Sequence, residues 1–305
     1  MSPASDPTRR SRSFGAIALV LLTAACSSGG SAAREQTPPS TAAPRPQHLQ
    51  LVSTNEPSPA YGQGIAKTPS GWILSGTNVL AHADPAMKVL DQLSPAIPPE
   101  WAAKGFNHVG DIDAVGDILY VPFEQSDYSK NEQAMARYRA TTFEFIDAVP
   151  VHQSHNSFVA VDGARHVAYS TNLFDDHELL RYDLRRAWKP LTPLRFSKPL
   201  VHIQGGAVGG GAFWISTNDP THGVFTVDLK TGRVRRLGST THLGGEGEGI
   251  AYAKFAGAVL HTLTLDAKIA PNYADHWKLA EGWATPSNTA TGMLRRTPVP
   301  VPLPF

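Results

Sequence analysis

The stretch that decides the fold is His202-Ile203-Gln204-Gly205-Gly206-Ala207-Val208, then Gly209-Gly210-Gly211, then Ala212-Phe213-Trp214-Ile215-Ser216-Thr217. Two short apolar runs around a glycine turn spell a β-hairpin, because glycine reaches the positive φ of a tight turn without steric cost. A second hairpin follows at once: Gly223 to Leu229, the turn Lys230-Thr231-Gly232, and Arg233 to Leu237. That makes four consecutive antiparallel strands.

The unit recurs. Its first strand matches Tyr61-Gly62-Gln63-Gly64-Ile65-Ala66, His108-Val109-Gly110-Asp111-Ile112-Asp113 and His155-Asn156-Ser157-Phe158-Val159-Ala160. The copies start at 61, 108, 155 and 202, a step of 47 each time, and Glu246-Gly247-Glu248-Gly249-Ile250-Ala251 comes 44 later. Second strands agree as well, as in Trp72-Ile73-Leu74-Ser75, Val167-Ala168-Tyr169-Ser170 and Phe213-Trp214-Ile215-Ser216. A four-stranded repeat of roughly 40–50 residues is the signature of a β-propeller. The chain is therefore predicted to be all-β, a single propeller of five blades over residues 48–280. His48 to Ser53 alternates like a strand and precedes the first inner strand. It is predicted to join the last blade as its outer strand, closing the ring and removing exposed sheet edges.

Charge narrows the partners. Among 305 residues, 27 are basic and 26 acidic, with no basic block beyond the N-terminus. A nucleic-acid partner leaves a clustered Lys/Arg footprint, so none is expected, and a monomer is. No Gly-x-Ser-x-Gly elbow and no phosphate-binding glycine loop occurs.

Residues 1–26 carry Arg9, Arg10 and Arg12, an apolar run from Phe14 to Leu22, and Thr23-Ala24-Ala25-Cys26. This resembles a bacterial lipoprotein signal. The resemblance implies export, lipidation of Cys26 and anchorage on the extracytoplasmic face of the membrane. The alternative is a plain secretory peptide cleaved nearby. Residues 27–47, rich in Ser, Gly, Ala, Pro and Thr, read as a flexible tether, and 281–305 as a Pro-containing tail. Cys26 is the only cysteine, so a lipidated chain has no thiol for disulfides or Cys-based sites.

In a propeller the first strand of each blade faces the axis. The starts Tyr61, His108, His155, His202 and Glu246, with Gln63, Ser157, Gln204 and Glu248 two positions on, are expected to ring one face. Loops bearing His82, Asp84, Asp127, Asp175-Asp176-His177-Glu178, Asn218 to His222 and Asp266 to His276 are expected to complete a polar bowl. Three histidines at equivalent positions, with Glu246 or Glu248, are a ligand set for one divalent metal, zinc-like, with an open site for water. The bland alternative is a wet axial channel that tolerates polar residues. Asp111, Asp113, Asn156 and Glu248 form an oxygen-rich set that suits calcium. Glu248-Gly249-Ile250-Ala251 resembles the Glu-Gly start of the first strand in the gluconolactonase–paraoxonase family. That likeness implies an axial calcium held by Glu248, with Asn156 as a second ligand. Two functions stay open. One is an envelope protein binding a small molecule or partner in the bowl through Tyr61, Gln63, Asp111, Asn156, Gln204, Asp176, His177 and His222. The other is a metal-dependent hydrolase of a lactone, ester or phosphoester.

Overall fold

A computed structural model describes residues 48–172, 177–266 and 271–281. Cys26, the tether, Asp175, Asp176 and the tail from 282 lie outside the described residues.

The chain forms five antiparallel blades. Strand β1 (Leu49–Asn55) comes first in the chain and last in the ring. Blade 1 is β2 (Gly64–Thr68), β3 (Gly71–Gly76), β4 (Val79–Ala83) and β5 (Val89–Leu93). A short helix, α1 (Pro99–Ala102), leads to blade 2. Its inner strand is split into β6 (Phe106–Val109) and β7 (Asp113–Val115), both paired with β8 (Ile118–Gln125), and β9 (Gln133–Arg139) and β10 (Phe145–Val151) follow. Blade 3 is β11 (Ala160–Asp162), β12 (Val167–Ser170), β13 (Glu178–Asp183) and β14 (Lys189–Arg195). Blade 4 is β15 (Ile203–Gly209), β16 (Ala212–Thr217), β17 (Gly223–Val227) and β18 (Val234–Ser239). Blade 5 is β19 (Glu246–Phe255), β20 (Ala258–Leu265), β21 (Tyr273–Leu279) and β1.

The turn chemistry is as the sequence dictates. Gly210 and Gly211 both take positive φ, at 59° and 81°, which only a glycine pair accepts readily between β15 and β16. The ring closes where expected. Strand β1 pairs antiparallel with β21, from Leu49 opposite Leu279 to Asn55 opposite Ala274. Leu49 thereby joins Trp277, Leu260, Leu237 and Trp214 in the core between blades 4 and 5. The other cores also lie between neighbouring sheets. Ile73 and Leu80 of blade 1 meet Leu119, Val121 and Phe123 of blade 2, and Trp101 of α1 fills the same cluster. One sheet cannot bury both faces alone, so each blade depends on its neighbours.

At the level of the fourth inner-strand position the axis is filled by protein atoms. In the fourth column of the repeat, three blades have glycine (Gly64, Gly205, Gly249), blade 3 has Phe158 and blade 2 has Asp111. Asp111 is 0% exposed. Its Oδ1 accepts from the N–H of Ile65 and of Ile112, each at 3.1 Å. Its Oδ2 accepts from Gly206 at 3.2 Å and Ile250 at 3.1 Å. The Asp111 carbonyl accepts from Val159 at 3.1 Å. Those five donors are the fifth column of the repeat, one from each blade, converging on one residue. Burial pushes the Asp111 carboxyl well up, the N–H donors of Ile250, Ile65 and Gly206 pull it back, and the charge of Asp113 adds to the upward push. Four N–H groups fill the four lone-pair directions of a carboxylate, so the geometry fits the ionised form.

The neighbouring glycines make room. A Cβ at Gly249 would lie 2.5 Å from Asp111 Oδ1 and 2.8 Å from Gly64 Cα. Gly249→Ala is expected to cost about 1–3 kcal/mol through overpacking of the hub, read as a lowered midpoint in urea unfolding. An unchanged midpoint means the axis is looser than this.

Candidate functional site on the front face

The face on which the inner strands begin carries one connected polar cluster. Its centre is Glu124, the last but one residue of β8, only 3% exposed. The register of β6 on β8 sets His108 directly opposite it. His108 Nδ1 stands 3.6 Å from Glu124 Oε2, and His155 Nε2, from the next blade, 3.9 Å from Oε1. His108 Nε2 meets Gln63 Oε1 of blade 1 at 2.7 Å. The carbonyl oxygen only accepts, so Nε2 carries the proton. Tyr128, on a 3₁₀ turn (Tyr128–Lys130) between β8 and β9, lays its ring on His155, with centroids 3.7 Å apart and planes at 18°. Its hydroxyl is pushed up to about 12, by burial first and then by the charge of Glu124 and the hydrogen bond to it. Burial lowers His155, with Glu124 opposing.

Three blades thus supply one carboxylate, two imidazoles, a phenol and an amide. Glu124 and His155 are buried, whereas the side chain of His108 is 33% exposed and Tyr128 39%. The cluster presents those two to solvent, with a carboxylate behind them. Blade 5 adds a second acidic element on the same face. Glu248 is 4% exposed, and Glu246, two positions before it on β19, is exposed. Burial pushes the Glu248 carboxyl well up, then the charge of Glu246 and a hydrogen bond with it, then Asp111.

The residues expected around the bowl divide. Gln63, His108 and His155 come together, and Gln204, half-buried, and Glu248 stand on the inner strands nearby. His202 is exposed on a backbone with φ of 52°, its carbonyl taken by the Asn218 N–H. Tyr61 is not in the bowl. It packs with Ile65 and Trp72 and donates its hydroxyl to Gln92 Oε1 at 2.5 Å. Asp111 is the hub of the fold, out of reach of ligand. Asn156 is likewise a strut, 0% exposed. Its amide donates to the Ala134 carbonyl at 2.7 Å, and its oxygen accepts from Gln153 at 2.9 Å. His222 is buried with Nδ1 on the His242 carbonyl at 2.9 Å. His177 is exposed. His82 lies on β4, not in a loop, between Asp91 at 2.5 Å and the Ala140 carbonyl at 2.7 Å.

Among the described residues no three His, Cys, Asp or Glu side chains are grouped to hold a metal ion. His108 and His155 stand on either side of Glu124, and His202 is not grouped with them. Of the two calcium ligands implied by the Glu-Gly resemblance, Asn156 has its oxygen engaged by Gln153 at 2.9 Å and Ser170 at 3.3 Å, and both oxygens of the neighbouring Asp111 are spent on backbone N–H groups. Glu124 and Tyr128 escaped the sequence reading. Both fall in the polar stretch Glu124 to Gln133, where the one signal is an acid closing the apolar strand Leu119 to Phe123.

Among the described residues no helix is long and apolar enough to cross a membrane. No family model and no curated protein matches this chain. Solved structures do match in fold. A glutaminyl cyclase from Myxococcus xanthus superposes with a TM-score of 0.58 at 10% identity, over 76% of this chain and 97% of that one. A hydrazine synthase from Kuenenia stuttgartiensis gives 0.41 at 13% identity, over 67% and 56%. At these identities the likeness is one of fold, a β-propeller.

Proposed function

We propose that the front face binds a small ligand bearing an amine or other cationic group, with Glu124 as its anionic anchor and His108 and Tyr128 as its contact edge. One observation carries this reading: a carboxylate 3% exposed, ringed by groups from three blades, behind a half-open imidazole. Burying a carboxylate is costly unless it is paired. Among the residues placed in or beside this site, Gln63, His108, Glu124, Tyr128, His155, Gln204, Glu246 and Glu248, there is no lysine or arginine. A cationic ligand supplies the missing charge. With the lipoprotein-like N-terminus, the setting proposed is the cell envelope, with the bowl open to a soluble or envelope-derived molecule.

A second reading is supported by the same carboxylate and by the fold neighbour. Closing an N-terminal glutamine on itself needs one group to take a proton from the amine and return it to the departing ammonia. Glu124 beside His108 has the chemistry for that relay.

Both readings are tested by adding three primary amines, a glutaminyl dipeptide, arginine amide and spermidine, in thermal unfolding. At least one is expected to raise Tm, since a ligand in hundredfold excess over Kd stabilises the native state by about 2.7 kcal/mol. Glu124→Gln is expected to weaken that ligand by about 10–100-fold, the worth of a charge-assisted hydrogen bond. Failure of all three amines to shift Tm overturns the binding reading. Ammonia released from the dipeptide, and abolished by Glu124→Gln, establishes the second reading; its absence removes it.

A further inference from the structure

Away from the front-face cluster, a cavity of about 1190 Å³ opens against blade 4. Its floor includes the ring of Phe225 on β17, only 6% exposed. Lys198 Nζ stands 5.7 Å from the centre of that ring, and the Arg236 guanidinium 6.0 Å. Two cations thus share one aromatic surface. Among the described residues neither has a carboxylate within 4.0 Å. Cation–π attraction is modest at an exposed site, and the single charge of Asp219 acts on Arg236 from beyond that distance, so two cations face one acid.

Arg236 is also held in place. Its Nη2 donates to Thr221 Oγ1 at 2.9 Å and to Ser239 Oγ at 2.7 Å. Among the described residues no hydrogen bond engages Nη1. The one acid in the cavity, Asp219, is engaged on its own loop. Its Oδ1 accepts from the Thr221 N–H at 2.7 Å and hydroxyl at 2.6 Å, its Oδ2 from Thr217 at 3.0 Å. Beside the cations the wall is apolar and open, with Val201 56% and Leu243 54% exposed.

We propose that this cavity is a second binding site, for an organic phosphate: a phosphate monoester on Lys198 and Arg236, its aromatic or aliphatic body on Phe225, Val201 and Leu243. A planar guanidinium already oriented by two hydroxyls loses little freedom when it takes a phosphate oxygen, and the lysine adds a point charge. A dianion answers the paired positive charge, and the exposed apolar wall answers the ester group. The chemistry is the same for a soluble phosphate ester and for the headgroup of a phosphatidic acid.

The experiment is calorimetric titration of the full chain with phenyl phosphate. Binding in the millimolar range or tighter is expected, weakened about tenfold or more in Arg236→Gln and separately in Lys198→Gln, with inorganic phosphate binding more weakly. Lys198 is exposed and Arg236 half-buried, so Lys198→Gln is expected to keep the wild-type Tm and carries the test should Arg236→Gln lower it. No heat from phenyl phosphate at about 10 mM overturns the site, as does binding indifferent to both substitutions. Glu124→Gln is expected to leave phenyl phosphate binding unchanged, which separates this site from the front face. Co-flotation with phosphatidic acid vesicles that Arg236→Gln abolishes assigns the ligand to a lipid headgroup. Phenyl phosphate binding without flotation assigns it to a soluble ester.

Discussion

Replacing Asp111 by asparagine is expected to cost about 3–5 kcal/mol of folding free energy, a large share of the roughly 5–15 kcal/mol that a domain of ordinary stability has. The two side chains have the same shape, so the change tests charge and hydrogen-bond direction alone. In the native protein four backbone N–H groups point at two carboxylate oxygens. An amide offers one oxygen; its NH₂ then faces two N–H groups at about 3 Å, donor against donor, with no water in reach. The loss falls on two blades at once, blades 1 and 2 if the NH₂ replaces Oδ1 and blades 4 and 5 if it replaces Oδ2. A drop in Tm on the order of 10 °C is expected in thermal unfolding. Asp113→Asn is the control. That carboxyl is pushed up to about 7 by burial and accepts the N–H of Val161 at 2.7 Å and of Ala114 at 2.8 Å, but it bridges only blades 2 and 3. It is expected to cost about 1–2 kcal/mol. An Asp111→Asn protein melting with the wild type shows that the axis does not hang on this carboxylate.

The repeat made the architecture readable. A blade must supply four strands and three turns, so its period shows through even where residues differ. The closing strand was readable too, since Leu49 and Leu51 alternate with polar residues ahead of the first inner strand. What a period cannot disclose is the radius of the hole. The column Gly64, Asp111, Phe158, Gly205, Gly249 was visible, and an acid near an axis reads as facing water. Only the closeness of the inner strands, with Gly249 against Gly64, turns that acid into a fastening buried at the centre. The candidate site suffered from the same gap. His108 and His155 were legible from their equivalent positions, but Glu124 becomes their partner only through the register of β6 on β8. That register shifts between Phe106 and His108, which sequence does not report.

Between blades 5 and 1 a pair of histidines is expected to make the fold lose stability in mild acid. His261 and His276 face each other across β20 and β21, with Nδ1 to Nδ1 at 2.6 Å. Trp72 of blade 1 packs on both rings, 4.7 Å from His261 and 5.6 Å from His276. His261 Nε2 stands 2.9 Å from the Ala253 carbonyl, which only accepts, so that nitrogen carries a proton. His276 Nε2 in turn meets the side-chain amide of Asn55 at 2.7 Å, and the Nδ1-to-Nδ1 contact has room for one proton. A second would oppose N–H to N–H inside the core. Burial therefore holds His261 down to about 4; the Ala253 bond opposes this, and His276 and Lys67 add to it. Burial lowers His276 too, with Asp275 opposing. An unfolded histidine titrates near 6.5. Between about 4 and 6.5 the unfolded chain binds a proton that the folded chain refuses, so stability rises with pH there. The contribution, about 3 kcal/mol for His261, is whole above about 6.5 and fades as pH falls towards 4. Asp111, Asp113 and Glu248, all pushed up, act in the opposite sense, so the raw profile mixes the two. The comparison that isolates the pair is His261→Gln, whose amide reproduces both hydrogen bonds without titrating. Its stability deficit against wild type at about pH 7.5 is expected to shrink by about 2–3 kcal/mol at about pH 4.5, measured by urea unfolding. A deficit that stays constant over that range means that His261 already carries its charge in the folded core.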